Sequence, residues 1–75
     1  MNATPHTATY EVTGMTCGHC VQSVTEEVSA LTGVKDVSVE LNVGAASQVT
    51  VVSDEPLDTE TVRGAVDEAG YQLVG

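Results

Sequence analysis

The feature that most restricts this chain is the order in which its apolar periodicity changes. From Thr7 to Thr13, Ala8, Tyr10 and Val12 alternate with Thr7, Thr9, Glu11 and Thr13, the two-residue repeat of a half-buried strand. Gly14 ends it. From Cys17 onward the step lengthens to three and four, through Val21, Val24, Val28 and Leu31, which is one face of a helix. Thr16 is the predicted N-cap and Gly33 the predicted stop. Alternation returns at Val37, Val39 and Leu41, breaks at the turn 42–47 (NVGAAS), and resumes at Val49 and Val51. After 53–56 (SDEP), Asp58 is the expected cap of a second helix. Leu57 is placed to staple onto Val62, and Val62, Ala65 or Val66, and Ala69 form the apolar stripe. Gly70 closes that helix, and Tyr71–Val74 reads as a last short strand. Residues 1–6, His6 included, read as a solvated lead-in.

The resulting order is β-α-β-β-α-β. Two right-handed β-α-β crossovers joined by a hairpin interleave into one sheet. The expectation is an α+β, ferredoxin-like βαββαβ sandwich, with an antiparallel four-stranded sheet in the order 4-1-3-2 and both helices on one face. The pattern uses the whole length, so residues 1–75 are read as a single domain. The core must be assembled from small pieces, because the chain has no Trp or Phe and only Tyr10 and Tyr71 as aromatics. Most of that core is valine, each contributing roughly 1.5–3 kcal/mol when fully buried.

Charge narrows the partners. Eleven acidic residues face only Lys35 and Arg63, a net charge of −9, so nucleic acid and anionic membrane surfaces are excluded as expected partners. A basic protein surface fits such a field; the same acids also serve solubility. The opening residues MNATPHTATY lack the basic and apolar regions of a secretory signal. No apolar run approaches the ~18 residues of a membrane span. The reading is therefore a cytoplasmic protein whose thiols stay reduced.

The two cysteines stand together in 14–20, GMTCGHC. A C-x-x-C after a strand and at a helix entrance suits thiol–disulfide exchange, and the inner Gly-His is that of protein disulfide isomerases. Against that reading, Met15-Thr16 stand where those enzymes carry Trp. Neither Pro5 nor Pro56 is placed to face the pair, and a thioredoxin core does not fit in the remaining chain. The alternative is a soft metal ion. A helix N-terminus supplies free N–H groups and the positive end of a dipole, which favour thiolates. Two thiolates leave Zn²⁺ short of its four ligands, whereas Cu(I) is content with two, and Hg(II) is chemically similar.

The signature GMTCGHC, followed by V..SV...VS.L.GV..VSVEL and ending in AGY, resembles the heavy-metal-associated domain family, in particular its stand-alone bacterial copper chaperones. The resemblance runs from about Tyr10 to Val74. It implies that Cys17 and Cys20 bind Cu(I), that Met15 shapes the loop from within the core, and that Tyr71 lies near the metal. Met15 is read as a gap-filler rather than a third ligand. His19 is read as exposed; ligation, tuning of the thiols and no role are all open to it, with no ligation expected in an isolated monomer. The implied function is delivery of Cu(I) by ligand exchange to a copper-transporting P-type ATPase, with a copper-sensing repressor as a further partner, and no catalysis. A monomer without metal and a copper-bridged dimer with excess copper are expected. The competing readings are a thiol–disulfide oxidoreductase, a metal-binding domain excised from a copper ATPase, and a mercury-binding relative.

Overall fold

A computed structural model describes residues 5–74 of the chain. The elements are β1 (His6–Thr13), α1 (Gly18–Ser29), β2 (Val34–Glu40), β3 (Ser47–Ser53), α2 (Thr59–Glu68) and β4 (Gln72–Leu73). The strands form one antiparallel sheet in the order β2-β3-β1-β4, as the crossover argument requires. The helices pack on each other and on the face that carries Tyr10, Val12, Val49 and Val51.

Register explains why these positions became the core. Val49 stands opposite Tyr10 on one side and Val39 on the other; Val51 stands between Ala8 and Val37. From the helices, Val24 and Val28 of α1 and Val62, Ala65 and Val66 of α2 close over them. Both candidates at the middle of the α2 stripe are thus used. Leu57 is half-buried against the same core, the position a staple needs. Two serines are buried among these valines and both are hydrogen-bonded. Ser47 Oγ accepts from the Asn42 amide at 2.9 Å, and Ser53 Oγ donates to the Glu55 carbonyl at 2.7 Å. Among the described residues no buried side-chain polar atom lacks a partner.

The helix ends test the capping arguments separately. Asp58 caps α2 as expected, its Oδ1 accepting from the Glu60 amide at 3.1 Å. Gly70, at φ +94°, follows the last turn. There the Tyr71 amide donates to Val66 at 3.1 Å and the Gly70 amide to Asp67 at 2.9 Å, the paired bonds of a Schellman stop. In α1 both assignments move. Cys17, not Thr16, is the N-cap residue, with extended backbone and no capping side-chain bond. The helix ends at Ser29 with Ala30 as C-cap, so Leu31 lies beyond it, half-buried against the core. Gly33, at φ +88°, instead turns the chain into β2, and its carbonyl accepts from the Asp54 amide at 2.9 Å.

Two strand expectations are also corrected. β1 starts at His6, opposite Ser53, so His6 belongs to the sheet although it is exposed; of the rest of the expected lead-in, Pro5 is exposed and precedes the strand, and 1–4 lie outside the described residues. β4 is only two residues long and pairs with Val12 and Thr13 alone. The outer half of β1 therefore has no strand neighbour on that side, and Ala8 is exposed although it shares a face with Tyr10 and Val12.

Candidate metal centre

The 14–20 segment crosses from the end of β1 to the start of α1, and each residue in it has a distinct duty. Gly14 turns the chain at φ +92° directly beside Tyr71, whose Cδ1 would lie 3.6 Å from a β-carbon at that position. Met15 then points inward; at 1% exposure it is the largest fully buried side chain among the described residues. That anchor fixes one side of the loop. On the other side, the Cys17 carbonyl accepts the first helical bonds, from the Cys20 amide at 3.1 Å and the Val21 amide at 3.3 Å. Cys17 and Cys20 are thus locked to one turn of backbone.

The two sulfurs are 3.9 Å apart, with Cys17 exposed and Cys20 buried. Both thiols are free. With metal–sulfur bonds of about 2.3 Å, a tetrahedral S–M–S angle spans about 3.8 Å and a linear one about 4.6 Å. A linear ion therefore requires the sulfurs to open by less than about 1 Å, which rotation of the exposed Cys17 side chain supplies. A tetrahedral ion needs two further donors. Among the described residues no group of three or more His, Cys, Asp or Glu side chains is arranged to hold a metal.

Thiolate character is concentrated on Cys20. Its pKa is lowered from 9.0 to about 6. The largest cause is the Thr16 backbone amide, which donates to Cys20 Sγ at 3.4 Å. The Tyr71 hydroxyl comes second, and the Cys17 backbone and the Thr16 side chain add to the effect, while burial opposes it. The same contact raises the Tyr71 phenol, which is held in its donating form beside a sulfur that carries charge. No acidic side chain occupies the first turn of α1, so the positive end of the helix is left to the sulfurs.

Of the remaining residues singled out in the sequence, Tyr71 is brought to the loop from the far end of the chain. Met15 is beneath it, and His19 is exposed on the first helical turn. His6 lies at the opposite end of β1. The residue the sequence reading missed is Thr16. Freed from capping, it turns its amide and its hydroxyl, at 3.4 and 3.8 Å, toward Cys20 Sγ. The signal was its spacing of four from Cys20, one turn along the backbone.

The family model for the heavy-metal-associated domain matches residues 9–72. The chain is 38% identical over 71 residues to a probable copper-exporting P-type ATPase of Archaeoglobus fulgidus, a match covering 93% of this chain and 8% of that protein. It is 35% identical over 63 residues to the copper chaperone CopZ of Enterococcus hirae, covering 84% of this chain and 88% of the chaperone. Among solved structures, a CopZ metallochaperone superposes with a TM-score of 0.76 at 28% identity, over 92% of this chain and 100% of that one. The chain thus spans under a tenth of the ATPases it matches but most of the small chaperone.

Proposed function

The chain belongs to the heavy-metal-associated domain family, and from that membership and the geometry of its loop we propose that it is a Cu(I) chaperone. Cys17 Sγ and Cys20 Sγ hold one Cu(I) ion as cargo, and the protein delivers it, without catalysis, to a copper-transporting P-type ATPase. A copper-sensing repressor is a second recipient, and the cytoplasm is where the exchange takes place. The observation that carries this reading is the pairing of one exposed and one buried sulfur, 3.9 Å apart at a helix entrance, with no arranged third donor among the described residues.

The transfer step follows from that asymmetry. Cys20 enters the complex largely as thiolate, because its pKa is lowered to about 6, so loading that sulfur displaces little proton at pH 7. A partner thiolate reaches the ion from the exposed Cys17 side. A third copper–sulfur bond forms, a chaperone sulfur leaves as thiolate, and a second exchange completes the transfer. Copper remains Cu(I) throughout, so no oxidant or reductant is involved. With excess copper, two exposed Cys17 loops share ions, and the protein dimerises through this end; there His19 comes within reach as an additional donor.

The oxidoreductase reading is disfavoured by which thiol is activated. A redox nucleophile must be both thiolate and accessible, yet the contacts that favour thiolate converge on the buried Cys20. The deciding experiment is an anaerobic Cu(I) titration against a competing chelator, with Zn(II) and Hg(II) in parallel, on wild type, Cys17→Ser and Cys20→Ser. Each substitution should lower Cu(I) affinity by orders of magnitude with the fold retained. A single mutant that holds copper like wild type, or robust turnover of insulin disulfides by the metal-free protein, would overturn the proposal.

A further inference from the structure

Apart from the thiols themselves and His19, the end of the molecule that carries the sulfurs is built from stretches without acidic or basic residues. Residues 12–20, 41–47 and 69–74 contain no Asp, Glu, Lys or Arg, although the chain carries thirteen of them. These three stretches are far apart in sequence, and the sheet register brings them side by side: Val12 stands opposite Ser47 and Thr13 opposite Gln72. Just behind this neutral end lies an acidic rim. Glu11 and Glu40 flank Gln48 across three neighbouring strands, and Asp67 and Glu68 end α2 two residues before Gly70. All four carboxylates are exposed.

Within the neutral end, a groove of about 290 Å³ separates the sulfur-bearing loop from the β2–β3 turn. Thr13, Gly14 and Met15 line one side, and Gly44, Ala45 and Ala46 the other. Its size is at the lower limit of small-molecule sites, which start near ~300 Å³; it suits one or two side chains. The turn that forms its second lip is held firmly. The Asn42 amide donates to the buried Ser47 Oγ at 2.9 Å, Asn42 Nδ2 donates to the Ala46 carbonyl at 3.2 Å, and the Ala45 amide donates to the Asn42 carbonyl at 3.3 Å. Beside it, Val43 is 67% exposed, one of two large apolar side chains so placed among the described residues.

We infer that this groove docks an uncharged apolar side chain which the acceptor protein carries next to its own cysteines, with basic residues set further out to meet the acidic rim. The inference rests on the chaperone reading and specifies its acceptor. The groove and Cys20 share a wall, since Thr16 borders the groove and hydrogen-bonds the sulfur, so an occupant there brings its neighbouring thiols to the ion. A neutral contact centre inside a charged rim divides the work. The rim sets the encounter rate, and the desolvated centre sets how long the complex lasts. A pre-formed lip lowers the ordering cost of docking.

The test compares two substitutions of equal charge. Ala45→Glu places a carboxylate on the groove lip. Thr32→Glu places one on an exposed loop by Asp54 and Glu55, at the opposite end. Stopped-flow transfer of Cu(I) is measured to the heavy-metal-associated domain of a copper-transporting ATPase from the same organism, and separately to bicinchoninate, a small chelator that does not use the groove. Ala45→Glu should slow transfer to the domain roughly tenfold or more, leave transfer to the chelator and Cu(I) affinity unchanged, and differ in this from Thr32→Glu. Equal slowing by both variants, or slowing by neither, overturns the docking groove. So does loss of Cu(I) affinity in Ala45→Glu, which would assign the groove to the metal site. If wild type binds no Cu(I) or passes none to the domain, the chaperone reading has failed and the inference falls with it; normal wild-type binding and transfer isolate the groove as the element under test.

Discussion

Met15 provides a test that separates structure from ligation, because its thioether lies beside the cysteines in sequence but inside the core in space. At 1% exposure it is packed on all sides. Met15→Ala removes most of a fully buried side chain and leaves a cavity, which costs about 2–5 kcal/mol in comparable sites. A domain of this length has only about 4–11 kcal/mol of total stability at ~0.05–0.15 kcal/mol per residue. The change therefore takes away a large fraction of the margin and lowers Tm by roughly 8 °C at the least, at about 4–8 °C per kcal/mol. Met15→Leu keeps the volume and discards the sulfur, and should cost less than about 1.5 kcal/mol. Chemical denaturation of the metal-free variants gives both stabilities, and chelator competition gives their Cu(I) affinities. Met15→Leu is expected to bind copper as wild type does. The argument is refuted by a Met15→Leu protein that is stable but binds Cu(I) tenfold more weakly, which makes the thioether a ligand. It is refuted equally by a Met15→Ala protein that loses less than about 1 kcal/mol, which takes the side chain out of the core's support.

The remaining predictions are shorter. Thiolate absorbance of the metal-free protein should titrate with a midpoint near 6 for Cys20, and Tyr71→Phe should raise it, because the phenol donates to the thiolate; an unmoved midpoint removes Tyr71 from the site. Because the folded pKa of Cys20 lies below its unfolded value, its contribution to stability is complete above the unfolded pKa and is lost as pH falls from about 9 through about 6. Wild type should accordingly lose its advantage over Cys20→Ser across that window, and a constant difference in unfolding free energy between pH 9 and 5 contradicts the assignment. Asp58→Ala removes the acceptor for the Glu60 amide and should cost about 0.5–2 kcal/mol, with Asp58→Asn close to wild type and copper binding unchanged in both. Rising salt should slow transfer to the ATPase domain while leaving Cu(I) affinity alone, as screening shortens the reach of the acidic rim to about 10 Å at 0.1 M; a rate indifferent to salt makes the acids a solubility device.

Local chemistry was legible in the residues themselves. The two periods placed two helices and the first and third strands near their observed limits, while β2 begins three residues before the expected Val37 and ends before Leu41, and handedness of the crossovers then left one sheet order. Asp58 and Gly70 were readable because a cap is a contact between neighbours in sequence. The same locality explains the errors. Thr16 looks like a cap to any argument that sees only its successors; it is diverted because Cys20 Sγ, once buried, draws its amide and hydroxyl. Ala8 fits the alternation, yet its burial depends on a strand that arrives from the far end of the chain and stops after two residues. Spacing also brought Cys17 and Cys20 together at a helix entrance, but could not distinguish them. That one sulfur is thiolate-favouring follows first from the Thr16 amide turned toward Cys20 and then from Tyr71 arriving beside the loop, while Met15 anchors that loop from within the core. The end around the sulfurs is of the same kind. Its three segments are neutral as written, but they become one surface only because antiparallel register sets residues 12 and 13 beside 47 and 72. Helix period, strand alternation and caps act over a few residues and are written in sequence; burial, the Tyr71 share of the Cys20 pKa and shared surfaces depend on contacts between distant segments, which exist only once the chain has folded.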